Sequence, residues 1–308
     1  MRSAARSDFV GGARLVPGNG FALRTGIWSW ALSVATERSG RPVGLAVRRG
    51  PELRSAWHCV DGARVHARVG GAGSTSATAV VLLHGVIVSS RYLMPIGVEL
   101  ARDRPVLIPD LPGFGLSDPP PGPPRLYALA DAAMALAQSA GHERVAIVAN
   151  SFGAQVGVEA AVRHPARVER VVLLGPTVDA DARTLLTQAL RWMRNAPDEH
   201  LSVLPVMARD LADLGLARAA RLLRVMLRDQ IEGKLPAVRC PALVVRGGRD
   251  RVVPAAWAER LAETLPRGRL VVLPGYAHMA HYSGPLALAP ILRDFLSGDR
   301  ASLVRPRI

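Results

Sequence analysis

The sequence contains almost no lysine: Lys234 is the single lysine in a chain whose 39 basic and 25 acidic side chains give a formal net charge of +14. Arginine therefore supplies nearly all of the positive charge. A nucleic-acid-binding face needs clustered lysine and arginine, with aromatic side chains among them where bases stack. Here the charges are scattered, and aromatic residues make up only 5% of the chain. A surplus of arginine without lysine indicates the base composition of the genome rather than a surface selected to bind phosphate. We therefore expect no nucleic-acid partner.

Cysteine and long apolar runs are also scarce. Cys59 and Cys240 are the only cysteines, and they form neither a disulfide framework nor a set of metal ligands. We expect free thiols beside strands, which fit a reducing compartment; one disulfide between the two is the alternative. No apolar run reaches the ~18–20 uncharged residues that span a bilayer. The sequence therefore predicts a cytoplasmic protein without an integral membrane segment, a metal or a cofactor, and it specifies no oligomeric state.

The first 55 residues differ in composition from the rest of the chain. They are rich in arginine, glycine and proline, with one short apolar run at residues 26–35. We predict a flexible N-terminal extension over residues 1–55. The alternatives are an amphipathic segment at a membrane surface and a secretory signal with a late apolar region. The arginine-rich residues 299–308 are predicted to form a C-terminal tail, and a chain shortened to begin near Ser55 should fold.

From about residue 56, short apolar strands alternate with helical patterns, which indicates a doubly wound, mostly parallel α/β sheet. The alternation stops after residue 176 and resumes at about residue 237. We therefore predict an α/β core in two parts, residues 56–176 and 237–298, with an all-helical cap inserted over residues 177–236. The helical patterns of the cap lie around residues 185–193, 201–214 and 217–227. In such a sheet, ligands bind at the edge formed by the C-terminal strand ends.

One of these strand ends carries a serine in a distinctive setting. The apolar run at residues 145–150 ends at Ser151, and a helical pattern begins directly after it. The flanking Ala149 and Gly153 are small, as a tight strand-to-helix turn requires, and a serine in such a turn projects from the strand end as a nucleophile. The backbone N–H of Phe152 could then point at a developing oxyanion. The alternative is a serine that only caps the helix.

Two further strand ends carry the acid and the base that a serine nucleophile needs. Asp250 and His278 each follow a buried strand through a loop that contains glycine. The chain order Ser151, Asp250, His278 is the order found in α/β hydrolases. Three placements at strand ends favour the nucleophile over the helix cap. Asp179 and Asp181, which follow another strand, are the alternative acids.

Together these pieces resemble an α/β-hydrolase-fold protein with a helical cap, over residues 58–297. The matching sequences are His84-Gly85, Asp110-x-Pro112-Gly113-x-Gly115-x-Ser117, Asn150-Ser151-Phe152-Gly153, Gly247-x-x-Asp250 and Gly275-x-x-His278. The resemblance implies that Ser151 is the nucleophile, that His278 is the general base and acid, and that Asp250 orients His278.

The resemblance also implies an oxyanion hole. Its donors would be the backbone N–H groups of Val86 and Phe152, and the pair His84-Gly85 would shape the loop that carries Val86. His84 is then a structural residue rather than a second base. Among the other histidines, His281 is closest in sequence to His278, and we expect it to be a supporting or surface residue.

The implied function is a serine-dependent hydrolase that acts on a small molecule. The bulky residues 86–88 and the methionines of the cap suit an apolar acyl group, so an ester, thioester or related acyl bond cleaved through an acyl-enzyme is expected. The turn around Ser151 is also similar to that of meta-cleavage-product C–C hydrolases. Those relatives usually carry a glycine-richer oxyanion loop and a tryptophan where this chain has Met279. Non-hydrolytic uses of the fold are further alternatives: a lyase or cyclase, a cofactor-free peroxidase, or a ligand-binding protein.

Overall fold

The computed structural model of the chain describes residues 51–60, 62–71, 77–120 and 122–298. Most of the predicted extension and all of the predicted tail lie outside these ranges. Within them, eight strands form one sheet. The strands are β1 (Arg54–Val60), β2 (Ala63–Gly70), β3 (Ala79–Leu83), β4 (Val106–Pro109), β5 (Val145–Asn150), β6 (Val168–Leu174), β7 (Ala242–Gly247) and β8 (Gly268–Leu273). Their order across the sheet is β1-β2-β4-β3-β5-β6-β7-β8.

The sheet is parallel from β4 to β8, and the antiparallel strands β1 and β2 lie at one edge. The sequences of the central strands explain this arrangement. Strands β3 and β5 are buried along their whole length and consist almost entirely of alanine, valine, leucine and isoleucine. Such strands need cover on both faces, which parallel sheets provide. The predicted doubly wound, mostly parallel sheet is confirmed.

Helices supply the cover on both faces. Those of the core are α1 (Ser90–Leu100), α2 (Leu126–Ser139), α3 (Phe152–Arg163), α8 (Ala255–Thr264), α9 (Ala280–Ser283) and α10 (Pro285–Ser297). Successive side chains of a strand point to opposite faces. Val81 and Leu83 of β3 therefore join one apolar core with α2, α3 and α8, while Val80 and Leu82 join a second core with α1 and α10.

Residues 177–236, between β6 and β7, contain helices and 3-10 turns joined by short loops, and no strand. We call this segment the helical insertion. Its helices are α4 (Leu185–Asn195), α5 (Leu204–Leu214), α6 (Leu216–Arg228) and α7 (Ile231–Lys234). Gly215, with a φ of 76°, separates α5 from α6. Glycine adopts this left-handed conformation without steric cost, so the chain can change direction there.

The first strand begins two residues before the predicted core boundary at residue 56. Strand β1 starts at Arg54, and Leu53 before it is only 7% exposed. The side chain of Leu53 packs against two glycines. A Cβ placed on Gly70 would lie 2.9 Å from one δ carbon of Leu53, and a Cβ placed on Gly97 would lie 3.1 Å from the other. Most of β1 is exposed or half-buried, so its sequence lacks the apolar alternation that marks a buried strand.

Both cysteines are free thiols, so the disulfide considered from the sequence does not form in this structure. Burial raises the pKa of the Cys240 thiol to about 11. No helix within the described ranges combines the length and the apolar character needed to cross a bilayer.

Candidate active site

Ser151 occupies a sharp turn between β5 and α3. Its backbone has φ 56° and ψ −119°, and it is the only non-glycine residue with a positive φ among the described residues. Such a conformation is strained and persists only where the surrounding structure fixes it. The Ser151 N–H donates to the carbonyl oxygen of Leu174 at 2.9 Å. A Cβ on Gly153 would collide with the carbonyl oxygens of Leu83 and His84, which explains why the turn needs a small residue there.

His278 and Asp250 lie in the loops that follow the neighbouring strands β8 and β7, and they form a buried pair. His278 Nδ1 is 2.9 Å from Asp250 Oδ2, and both residues are 2% exposed. The other carboxylate oxygen, Oδ1, accepts the backbone N–H groups of Val252 and Val253 at 2.8 Å and 2.9 Å. A carboxylate can only accept hydrogen bonds, so Nδ1 carries the proton and Nε2 of a neutral ring is the basic atom.

The environment of His278 favours the protonated ring. Burial disfavours the charge, but the charge and hydrogen bond of Asp250, together with the charge of Glu199, outweigh burial and raise the pKa of His278. His278 Nε2 is buried and has no hydrogen-bond partner among the described residues. The basic nitrogen is therefore available for a proton from another group.

His278 packs against two residues near Ser151, Gly175 and Trp192. Gly175 directly follows Leu174, whose carbonyl oxygen accepts the Ser151 N–H. A Cβ placed on Gly175 would lie 2.9 Å from Cε1 of His278. The ring of Trp192 lies edge-on to the His278 ring, with centroids 4.9 Å apart. Among the described residues, Ser151 Oγ makes one hydrogen bond, to Thr177 Oγ1 at 3.4 Å, and none to His278. Such nucleophile–base bonds are often long without substrate and shorten in the complex.

Val86 and Phe152, the predicted oxyanion donors, flank Ser151. Phe152 is the first residue of α3, where the backbone N–H groups have no partner within the helix and the helix dipole favours an anion. Val86 and Gly85 line the same cavity as Ser151. A Cβ on Gly85 would lie 3.7 Å from the Cβ of Ser151. Both predicted donors are therefore at the serine, and their role stays a prediction.

His84 hydrogen-bonds to the loop that carries Val86 and to Leu111. It is fully buried, its Nδ1 donates to the Gly85 carbonyl oxygen at 2.8 Å, and its Nε2 accepts the Leu111 N–H at 3.1 Å. Burial lowers the pKa of His84, in keeping with a neutral ring that donates on one side and accepts on the other. These contacts are those of a structural residue.

The far end of the same loop is fixed by two buried carboxylates. Asp110 accepts the Ser90 N–H at 2.7 Å and the Leu116 N–H at 2.9 Å. Asp210, from helix α5 of the insertion, accepts the Ser89 N–H at 2.7 Å and the Ser89 hydroxyl at 2.9 Å. The loop that carries Val86 is thus tied both to the core and to the insertion.

The two alternative acids have other partners. Asp179 Oδ2 pairs with Arg191 at 2.7 Å, and its Oδ1 accepts the Asp181 N–H at 3.2 Å. The Asp181 residue is exposed. Of the three acids considered from the sequence, Asp250 is the one that hydrogen-bonds His278.

His281 is buried rather than at the surface. It is 1% exposed, and its ring lies edge-on to Tyr92, with centroids 4.3 Å apart. Neither ring nitrogen has a partner among the described residues. Burial, with the nearby charge of His278 as a lesser cause, lowers the pKa of His281 to about 3. The ring is therefore a neutral packing element beside the site.

Ser151 opens into an apolar cavity of about 330 Å³. The cavity lies between the C-terminal strand edge and the helical insertion. Its lining residues are Gly85, Val86, Ile87, Val88, Tyr92, Asn150, Ser151, Thr177, Leu185, Gln188, Ala189, Trp192, Met207, Leu223, Met226 and Met279. No side chain in this lining is charged. Within the described ranges, no group of three or more histidine, cysteine or acidic side chains is arranged to hold a metal ion.

Sequence reasoning missed the residues that the insertion brings to the site. Trp192 contacts His278, Asp210 holds Ser89, and Asn195 and Glu199 bond to the loops after Asp250 and His278. No motif marks these four side chains. Only the helical spacing of the insertion was visible in the sequence, and that spacing does not specify how the helices dock.

The fold and the strained serine turn after the central strand are those of the α/β-hydrolase class. The family model described as "Alpha/beta hydrolase family" matches residues 80–291, which is more than half of the chain. This chain belongs to the alpha/beta hydrolase family.

Similar proteins carry hydrolase names with different substrates. The provisionally named carbamate hydrolase RutD of Pseudomonas savastanoi pv. phaseolicola is 28% identical over 256 residues, which cover 72% of this chain and 95% of that protein. The 2-hydroxymuconate semialdehyde hydrolase of Pseudomonas sp. (strain CF600) is 27% identical over 238 residues, covering 70% and 83%. The enol-lactonase from Burkholderia xenovorans LB400 superposes with a TM-score of 0.65 at 23% identity, covering 79% of this chain and 100% of that one. This last likeness shows the fold alone.

Proposed function

We propose that this chain is a serine hydrolase that cleaves an ester, thioester or related acyl bond of a small to medium apolar substrate through an acyl-enzyme. One observation carries the proposal. Ser151 is held in a strained turn at the wall of an uncharged, apolar cavity, near a buried His278–Asp250 pair whose basic nitrogen has no hydrogen-bond partner among the described residues.

The proposed reaction uses these groups in turn. His278 Nε2 accepts the Ser151 hydroxyl proton as Oγ attacks the substrate carbonyl carbon, and Asp250 stabilises the resulting imidazolium. The N–H groups of Val86 and Phe152 donate to the oxyanion. The imidazolium then gives its proton to the departing alkoxide or thiolate, which leaves the acyl group on Ser151. A water molecule deprotonated by His278 releases the acid by the same route in reverse.

The cavity supports an uncharged acyl group. Its lining is apolar except for Tyr92, Asn150, Ser151, Thr177 and Gln188, and a buried carboxylate would need a charged or strongly donating partner. Asn150 is already engaged, because its Oδ1 accepts the Tyr92 hydroxyl at 3.0 Å and its Nδ2 donates to the Leu174 carbonyl oxygen at 3.1 Å.

The test is turnover of a series of p-nitrophenyl esters of increasing acyl length by the parent and by Ser151→Ala. We expect Ser151→Ala to reduce kcat by on the order of 10³-fold or more while the fold is kept. Mass spectrometry after reaction with a fluorophosphonate should place one adduct on Ser151. Turnover by Ser151→Ala within a few-fold of the parent would refute the proposal, and stoichiometric ligand binding without turnover would indicate a binding protein.

A second candidate is C–C bond hydrolysis. Two similar proteins favour it: the 2-hydroxymuconate semialdehyde hydrolase, and the 2-hydroxy-6-oxo-2,4-heptadienoate hydrolase of Pseudomonas putida, which is 27% identical over 254 residues. The second of these substrates is by its name a carboxylate, and no cationic side chain lines the described cavity. Loss of dienoate absorbance with a kcat/KM above that for the best ester would decide for this candidate.

A further inference from the structure

Two polar residues of the helical insertion connect the loops that carry Asp250 and His278. Asn195 Oδ1 accepts the backbone N–H of Arg251 at 3.0 Å. Glu199 Oε1 accepts the backbone N–H of Met279 at 3.0 Å. Asn195 Nδ2 donates to the same Glu199 oxygen at 2.7 Å, so the two side chains form one continuous bridge. Each backbone N–H belongs to the residue directly after the acid or the base.

The bridge is built inside the protein. Asn195 is fully buried at the end of α4, and Glu199 is half-buried in the turn that follows. Placing a carboxylate and an amide in such a position is costly unless their hydrogen bonds are satisfied. Asn195 uses both ends of its amide, and Glu199 Oε1 accepts two bonds, whereas Glu199 Oε2 is buried without a partner among the described residues. Burial raises the pKa of Glu199, against the opposing effects of Asn195 and His278.

We propose that Asn195 and Glu199 are positioning residues that set the distance between the loops of Asp250 and His278, so that the helical insertion forms part of the active-site framework. This inference rests on the proposed roles of Asp250 and His278. A shift of about 1 Å in a catalytic group can cost ~10²-fold in rate. A bridge that bonds to the backbone directly beside both groups restrains that shift.

Glu199 also acts on His278 through its charge. The titratable groups around the His278 ring are Asp250 from the loop after β7, Glu199 from the insertion, His281 from α9 and, beyond His281, the Tyr92 hydroxyl of α1. The negative charge of Glu199 favours the protonated ring, as does Asp250. Removing that charge should lower the pKa of His278 and move the acid limb of the activity profile to lower pH.

Variants at Glu199 separate the hydrogen bond from the charge. Glu199→Gln keeps an oxygen that can accept both bonds, whereas Glu199→Ala removes the acceptor. We expect Glu199→Ala to lose about 10–100-fold in kcat with KM within ~3-fold. Glu199→Gln should recover most of that kcat at the high-pH plateau while its acid limb lies at lower pH. Asn195→Asp, which can accept from Arg251 but repels Glu199, should resemble Glu199→Ala.

Asp198→Asn is the matched control. Asp198 pairs with the Arg251 side chain at 3.0 Å, and so connects the same two segments, but that arginine side chain is 59% exposed. Exposed ion pairs contribute little, so this variant should keep the parent kcat and pH profile. A loss in Asp198→Asn equal to that in Glu199→Ala would show that any contact between these segments suffices, and would overturn the specific bridge.

An NMR titration of His278 in the full-length chain tests the effect of the Glu199 charge without turnover. The pKa of His278 should be lower in Glu199→Gln than in the parent, and thermal unfolding checks that each variant is folded. Unchanged kcat in folded Glu199→Ala would overturn the positioning role, and an unchanged His278 titration in Glu199→Gln would overturn the effect of the Glu199 charge. Failure of the proposed function would be seen separately, as equal ester turnover in the parent and in Ser151→Ala.

Discussion

Asp250→Asn is the substitution for which the structure gives the most definite expectation. Oδ1 of Asp250 accepts two backbone N–H groups, those of Val252 and Val253, and Oδ2 faces His278 Nδ1. An asparagine amide must keep its oxygen toward the two N–H donors, because its NH₂ group cannot accept from them. The NH₂ group is then forced toward His278 Nδ1. The ring responds by placing its proton on Nε2, which is the wrong tautomer for taking the Ser151 proton.

The expected loss follows from this orientation. A wrong tautomer and a missing carboxylate charge cost about 10³–10⁴-fold in kcat in serine–histidine–aspartate sites, or about 4–5.5 kcal/mol of barrier. The fold should be little affected, because the substituted side chain has nearly the same shape and keeps both bonds to the 252–253 backbone. Asp179→Asn and Asp181→Asn should each lose less than about tenfold, ~1.4 kcal/mol, because neither side chain contacts His278.

The assay is kcat/KM for all three variants on one p-nitrophenyl ester, with the thermal unfolding midpoint of each as a control for folding. The ranking tests the reasoning more sharply than any single rate. If Asp179→Asn or Asp181→Asn is crippled while Asp250→Asn is nearly normal, then the acid follows β6 and the assignment of Asp250 is wrong. Equal losses in all three would point to a general effect of charge.

Three further predictions concern the surroundings of the site. A chain that starts at residue 51 should unfold at a higher temperature than one that starts at residue 55. The shorter chain lacks the buried Leu53, and removing a buried leucine side chain costs about 2–5 kcal/mol of stability. Equal unfolding midpoints would show that Leu53 contributes nothing. His281 has a pKa of about 3 in the folded chain and an ordinary value of 6.5 in the unfolded chain. Below pH 6.5 the unfolded chain therefore binds a proton that the folded chain does not, and the free energy of unfolding decreases as the pH falls. His281→Leu should reduce this loss by about 2 kcal/mol near pH 5, measured by urea titration, and an unchanged pH dependence would contradict the reasoning. Asp210→Ala should lower kcat more than it raises KM, because it frees the Ser89 N–H and hydroxyl at the end of the oxyanion loop; wild-type kinetics in a folded variant would exclude this role.

The core of the fold could be predicted because its strands are buried on both faces. The runs that became β3 and β5 are nearly continuous in valine, alanine, leucine and isoleucine, and such runs belong to parallel sheets. Once the sheet is parallel, every C-terminal strand end meets the same edge. Ser151, Asp250 and His278 therefore converge although they lie far apart in sequence, and the glycine-containing loops before Asp250 and His278 mark where each chain segment turns.

The contribution of the insertion could not be predicted, for a physical reason. Helical spacing fixes which face of a helix is apolar but not which core residue that face meets. Asn195 and Glu199 are ordinary polar residues at a helix end until docking places them against the backbone after Asp250 and His278. The start of β1 was missed because residues 54–59 are exposed or half-buried, so the only nearby sign of burial is Leu53, which precedes the strand.

Trp192 shows how this affects the choice between acyl and C–C bond hydrolysis. The sequence departs from the C–C hydrolase pattern at Met279, where those relatives usually have tryptophan. In the structure an aromatic ring does contact His278, but it is that of Trp192, which comes from α4 of the insertion with its centroid 4.9 Å away. The identity of the residue after the histidine therefore does not determine whether an aromatic ring lies beside the base, because here another element supplies that ring. Charge in the cavity discriminates better: a carboxylate substrate requires a buried partner, and the described lining around Ser151 offers only amides, hydroxyls and apolar groups.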